Sequence, residues 1–488
     1  MTSIPQPRTL RVAVIGAGMS GILAGIKLLE AQLTNFTIYE KGPRPGGTWR
    51  DNSYPGLACD VPSHHYTYSF EPNPDWSQLF SPGPEILRYF ERVADKYGVT
   101  KHIRVNQEVT RARYHQGKWL IETASGICDE VDLVICATGF LHHPGYPKIE
   151  GLDTFAGACF HSARWDHSVT IKEKRVGIIG TGSTAMQILP AIVDDVAKVS
   201  LFQRTAQWVL PLPNATYTEA ERAAFKAAPE TMLALYNAWS ERFQNTISRA
   251  VIGDSKEMAR LENGCRANLE NNVLDPVLRA RLTPNYKVAC KRLVMSDIFY
   301  PAIQRPNAEL VTAGIAHLEP AGIRDQAGRL HELEVLVLAT GFNGHAFMRP
   351  MEVLGEGGHS LAAEWADSNQ AHRSTAIPGF PNFLMLVGPS SPIGNFSVIL
   401  IAELQMAYIL RLLAPLLRGE NTTIAPRRDS TEAFNKALRA AMGGTVWASG
   451  CKSWYLDKNG NAELWPWTFE RFRDEMAVPR FEEYELGV

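Results

Sequence analysis

Two glycine patterns dominate the chemistry-bearing residues of this 488-residue chain. Gly16-x-Gly18-x-x-Gly21 follows the apolar run Val12–Ile15, and Gly180-x-Gly182-x-x-Ala185 follows the apolar run at 176–179. Glycine at the first position permits a tight turn, and at the second it lets the backbone approach a pyrophosphate. At the third it lets the helix pack on the strand, and alanine is a permitted variant there. A helix starting at such a loop turns free N–H groups and a positive dipole end toward phosphate. The two copies differ at their far ends. From the middle glycine, 22 residues lead to Glu40 in the first copy and 22 lead to Arg204, followed by Thr205, in the second. A carboxylate accepts ribose hydroxyls and repels a 2′-phosphate, whereas a guanidinium binds one well. The pair therefore reads as one dinucleotide with a free ribose and one with a 2′-phosphate; FAD plus NADPH is the economical assignment.

These residues need strands and helices to place them. Each copy predicts strand, glycine turn, helix and second strand, and each is closed by the same phrase, LVICATGF at 133–140 and VLVLATGF at 335–342. From middle glycine to closing glycine the first copy spans 121 residues and the second 159, a difference of 38. The surplus reads as a helical excursion at 218–281. The stretches 103–114, 118–123 and 130–136 predict a strand meander with turns at Gln116-Gly117 and Ser125-Gly126. The apolar run at 398–417 contains Glu403, Gln405 and Arg411. Charges inside a membrane span are costly, so it reads as a buried helix of the first domain. The fold class is α/β, with two Rossmann-like dinucleotide-binding domains, for FAD and NADPH, the second nested in the first. The expected boundaries are 1–140 for the first part of the FAD domain and 141–345 for the NADPH domain, with its helical insertion at about 214–290. The FAD domain then returns over 346–488, ending in a C-terminal active-site loop.

Composition narrows the class. Hydrophobic residues are 45% and charged residues 20%, the balance of a soluble globular protein. Lys plus Arg number 49 against 51 for Asp plus Glu, a net charge of -2 that supports neither nucleic acid nor an anionic membrane as partner. The seven cysteines, Cys59, Cys128, Cys136, Cys159, Cys265, Cys290 and Cys451, are odd in number, with no CxxC pair and no zinc-like cluster. They predict free thiols in a reducing compartment and no metal site. The apolar start lacks the features of a signal peptide, so the chain reads as soluble and cytoplasmic. Its oligomeric state is left open.

The two-dinucleotide arrangement resembles the flavoprotein superfamily that includes disulfide reductases and flavin-dependent monooxygenases; the lack of a redox cysteine pair argues against the former. Two further patterns resemble the Baeyer–Villiger monooxygenases. Gly46-Gly47-Thr48-Trp49, four residues, Tyr54-Pro55-Gly56, three residues and Asp60 fit the first. Phe155-x-Gly157-x-x-x-His161-x-x-x-Trp165-Asp166 fits that family's linker fingerprint. The resemblance implies that Gly16, Gly18, Ser20, Gly21, Glu40, Gly47, Thr48, Trp49, Cys59, Asp60, Tyr66 and Val109 surround FAD. It implies that Gly180, Thr181, Gly182, Ser183, Ala185, Arg204 and Thr205 hold NADPH, with Lys291 a second cation on the 2′-phosphate. Trp454 would contact the nicotinamide cofactor, and His161 would be a linker residue coupling domain movement.

The same resemblance makes Arg292 the catalytic cation and Asp60 its aligning partner. It implies an NADPH- and O2-dependent conversion of a small-molecule ketone to an ester or lactone through a C4a-peroxyflavin, which attacks as a nucleophile when deprotonated. One proton separates that chemistry from electrophilic N- or S-oxygenation, and a nearby cation decides it. An N- or S-oxygenating flavin monooxygenase is the alternative; an NADPH oxidase or a nucleotide-binding regulator stands further off. After Trp454 the chain departs from the GANxPGK-type loop of well-known ketone-oxidising members.

Overall fold

In the computed structural model, which describes residues 9–487, the two glycine motifs open two five-stranded parallel sheets of one design. The first has the order Phe383–Met385, Leu133–Cys136, Val12–Ile15, Phe36–Tyr39, Ile103–Arg104. The second has the order Ala158–His161, Val335–Leu338, Arg175–Ile179, Lys198–Phe202, Ala308–Val311. In both, the strand feeding the glycine motif lies between the ATGF strand and the strand that ends in Glu40 or Arg204. The central strands are buried on both faces, which is why they read as unbroken apolar runs and do not alternate.

Packing explains the repeated ATGF phrase. Gly16 has φ +101°, and a Cβ there would sit 2.7 Å from the Ala137 carbonyl oxygen; Gly180, at φ +117°, lies harder still against the Ala339 carbonyl. No other residue type fits these turns. At the third position the copies differ. A Cβ on Gly21 would land on the Gly16 carbonyl oxygen, whereas Ala185 is fully buried with its methyl accommodated.

The second domain is nested in the first. Once the strand Val335–Leu338 is complete, the chain returns, and Phe383 pairs in parallel with Val134 to finish the first sheet. The buried helix Val398–Leu412 packs on the glycine-motif helix Met19–Glu30, and no helix among the described residues is long and apolar enough to cross a membrane. The antiparallel strands Val109–His115, Lys118–Thr123 and Cys128–Val131 form the meander, turned at Gln116-Gly117 with both residues at positive φ, as a two-residue hairpin requires; the ends of the expected stretches, Ile103–Arg104 and Leu133–Cys136, belong instead to the first parallel sheet. A second meander, Ile315–Glu319, Gly322–Asp325 and Leu330–Glu332, serves the other domain and was not foreseen from the sequence.

The excursion after Thr218 is helical. It comprises Glu219–Ala227, Pro229–Asn245, Ile247–Val251, Ser255–Asn272 and Pro276–Leu282, with Thr218, Asp254 and Asp275 capping three of the five starts.

The structure corrects the cysteine reading. Cys290 and Cys451, 161 residues apart, are joined by a disulfide across Cα atoms 6.3 Å apart; the other five cysteines are free. The expected set of seven free thiols does not hold, and the inference of a reducing compartment loses that support. Sequence spacing cannot show such a pair, because only the packing of the helical insertion against the C-terminal segment brings the two residues together.

Candidate active site

A cavity of about 540 Å3 runs between the two glycine loops. From the first domain Gly16, Gly18, Ser20, Glu40, Gly47, Thr48, Trp49, Cys59, Asp60, Tyr66 and Val109 line it. From the second domain and the C-terminal segment come Gly182, Ser183, Lys291, Arg292 and Trp454. Gly21, Gly180, Thr181, Ala185, Arg204 and Thr205 do not line this cavity. Gly21, Gly180 and Ala185 pack the two loops, as described above. Gly18 and Gly182 are the N-cap residues of their helices, with no side chain capping either and no acid in either first turn. The N–H groups at both helix starts are thus left without a side-chain partner, as a pyrophosphate site requires. A Cβ on Gly182 would meet nothing within 4 Å, so that loop offers an open cradle.

Glu40 is buried at the end of its strand and accepts from Ala17 N (2.8 Å), Gly42 N (2.7 Å) and Arg50 Nη1 (2.7 Å). A carboxylate has about four acceptor positions, so capacity remains for a ribose hydroxyl. Burial pulls the Arg50 guanidinium down, but Glu40 and Asp51 outweigh it and hold it raised. Arg50 went unnoticed in the sequence because only its neighbours belong to a motif. Gly46 N donates to Ala17 O at 2.9 Å, stapling the Gly-Gly-Thr-Trp segment over the first glycine loop. Trp49 Nε1 donates to the Tyr66 hydroxyl at 3.1 Å. Burial pushes the Cys59 thiol well up, which makes it a packing group and not a nucleophile.

The second loop is braced differently. Thr181 Oγ1 donates to Thr205 O at 2.8 Å, which fixes the turn before the exposed Arg204. Lys291 lies over the Tyr286 ring at 4.5 Å; burial and then the charge of Arg204 push its amine down. Among the described residues neither cation has a carboxylate partner. Two like charges held together without an acid are relieved by an incoming dianion, which is the fit a 2′-phosphate requires. His161 is buried at a strand end, where Nδ1 accepts from Ala163 N and Nε2 meets Gly341 O at 3.0 Å. It thereby ties the linker to the second ATGF loop.

Arg292 and Asp60, 232 residues apart, meet in the cavity wall. Arg292 Nε and Nη2 donate to Asp60 Oδ2 at 3.1 and 2.7 Å, and Nη1 donates to Gly394 O at 2.9 Å. Burial works against the guanidinium's charge, yet Asp60 and the Tyr455 hydroxyl leave it raised, a cation at every physiological pH. The Tyr-Pro-Gly segment explains how Asp60 is held. Tyr54 OH donates to Gln187 Oε1 at 2.8 Å, and Gln187 Nε2 donates to Ala58 O at 2.9 Å. Gln187 belongs to the helix of the second glycine motif, so the loop bearing Asp60 is pinned to the other domain. Trp454, 37% exposed, lies nearly parallel to Phe140 with ring centroids 6.0 Å apart; His345 bridges its carbonyl (2.8 Å) to Glu463 (2.7 Å). His345, Glu463 and Tyr455 carried no spacing signal.

Comparison with known proteins places the chain in a family. The profile of the flavin-binding monooxygenase-like family matches residues 9–350. An uncharacterized monooxygenase of Mycobacterium tuberculosis is 49% identical over 475 residues, 97% of this chain and 96% of that one. A Baeyer–Villiger monooxygenase of Streptomyces coelicolor is 40% identical over 483 residues, covering 98% and 92%. The crystal structure of OTEMO in complex with FAD and NADP superposes with a TM-score of 0.88 at 26% identity, covering 99% of this chain and 100% of that one. The chain belongs to the flavin-binding monooxygenase-like family and, within it, is an FAD- and NADPH-dependent monooxygenase of the Baeyer–Villiger type.

Proposed function

We propose that the enzyme converts ketones to esters or lactones, with Arg292 as the catalytic cation and Asp60 as the group that aims it. The observation that carries this reading is the Arg292–Asp60 pair in the wall of a cavity that both glycine loops line. FAD, when bound, supplies the oxygen-activating chemistry, with NADPH and O2 as its co-substrates. The first glycine loop, Glu40 and the Gly47–Trp49 segment would hold FAD; the second loop, Arg204 and Lys291 would hold NADPH. Between them Arg292 offers a fixed positive charge where negative charge develops on the oxygen of the substrate carbonyl. In a partly buried site such a charge has more effect than in bulk solvent, and it needs no reorganisation as the reaction proceeds. Asp60 keeps the guanidinium in place without discharging it, and the Tyr54–Gln187–Ala58 bridge makes that alignment depend on the two domains being together.

The test is Arg292→Ala on a panel of linear, cyclic and aryl ketones. The variant is expected to retain FAD and to oxidise NADPH slowly, releasing hydrogen peroxide in place of ester. Ester formed at near wild-type yield per NADPH would remove Arg292 from this role, and wild-type protein that oxygenates sulfides or amines but no ketone would overturn the substrate class.

A further inference from the structure

The segment after Trp454, which departs from the ketone-oxidising pattern, brings a side chain to the site that no motif assigns. Tyr455 is 4% exposed, and its ring packs in an apolar cluster with Trp447 and the Cys290–Cys451 disulfide. Its hydroxyl rests so closely on Gly394 that a Cβ there would strike it, and Gly394 O in turn accepts from Arg292 Nη1 at 2.9 Å. The Asp60 contact has a particular weakness. Both of its hydrogen bonds converge on one oxygen, Oδ2, and do not form the two parallel bonds of a bidentate fork. Asp60 alone would leave the guanidinium free to pivot about that oxygen, so its orientation depends on the Gly394 anchor. Gly394 O takes Nη1 as the second anchor, and the Tyr455 hydroxyl packs on Gly394 and so holds that anchor in place.

We propose that Tyr455 is a positioning residue that stops this pivot and keeps the charge of Arg292 directed into the cavity. The proposal rests on the reading of Arg292 as the catalytic cation. Tyr455 does not line the cavity, so it acts through the arginine. The disulfide serves the same end: Cys290 lies two residues before Arg292 and Cys451 four before Tyr455, so a covalent bond joins the bases of the two segments.

Tyr455→Phe tests this, because it removes the hydroxyl and keeps the ring. The holoenzyme is expected to retain its FAD and its KM for NADPH. Its kcat for oxygenated product should fall several-fold, with a matching rise in hydrogen peroxide per NADPH. A readout independent of turnover is the denaturation midpoint in a double-mutant cycle with Arg292→Met. The shift caused by Tyr455→Phe should disappear in the Arg292→Met background. Wild-type coupling of NADPH to product in Tyr455→Phe, or equal midpoint shifts in both backgrounds, would overturn the proposal. If the wild-type enzyme oxidises no ketone, the proposed function fails on its own account, and the cycle still decides whether Tyr455 and Arg292 act together.

Discussion

The two dinucleotide-binding halves share strand order, glycine turn and ATGF support, yet one is closed and the other open. In the first, Gly18 lies under Gly47, with a Cβ on Gly18 falling 3.5 Å from the Gly47 Cα, and Glu40 is buried behind Arg50. In the second, Gly182 faces empty space and Arg204 is exposed. One framework thus serves two residence times. A loop under a stapled cover suits a cofactor that stays, and an open loop with unpaired cations suits one that binds and leaves at each turnover.

The largest expected effect breaks that comparison at the third glycine. Gly21→Ala should give protein without bound flavin, measured as flavin absorbance per chain, because its methyl lands on a backbone carbonyl. The mirror change Ala185→Gly should leave flavin content untouched and destabilise by only about 0.5–1 kcal/mol in chemical denaturation. Next, Arg204→Ala should weaken NADPH by about ten- to a hundred-fold and leave the KM for NADH nearly unchanged, since one charge-assisted phosphate contact is lost. Equal losses for both nicotinamides would remove the 2′-phosphate assignment. Gly182→Ala sharpens the contrast: with no protein atom to meet the methyl, melting temperature should hold while the KM for NADPH rises severalfold.

A further effect, read as a pH dependence, lies at the seam between the first domain and the helical insertion. His64 packs against Tyr217 and Phe225, and His65 against Tyr236 and Phe243. Burial pushes both imidazoles down to about 4. The folded chain keeps them neutral while the unfolded chain takes up protons near its ordinary histidine value of about 6.5. Stability should therefore fall as pH drops from about 6.5 toward about 4. Melting curves across that range should flatten in His64→Gln/His65→Gln, and an unchanged slope would exclude these residues as the cause.

What was legible in the sequence was local or repeated. The glycine turns, the ATGF phrases, the Gln116-Gly117 hairpin and the capped helices after Thr218 each obey rules written in neighbouring residues. The meeting of Arg292 with Asp60 was legible only through resemblance, since nothing in 232 residues of separation predicts contact. Tyr455 against Gly394 and the Cys290–Cys451 bond were invisible for the same reason: each is made by packing between distant segments. Arg50 is only ten residues from Glu40 but belongs to no motif. The second meander was a different omission. Its second turn, at Gly328, is an ordinary hairpin signal, but its first turn is Pro320-Ala321 and its strands of three to five residues are too short to show an alternating pattern.

The nested connection sets an order in time. The strand Leu133–Cys136 finds its outer neighbour only at Phe383–Met385, about 250 residues later, long after Val335–Leu338 has completed the second sheet. At a synthesis rate of about 5–20 residues per second, that edge waits roughly 12–50 s on the ribosome as an unpaired apolar strand. The domain begun first is finished last. The nascent chain must therefore keep LVIC from pairing with strangers until its own C-terminal third arrives, which makes this edge the point where slowed translation or a truncated message leads to aggregation.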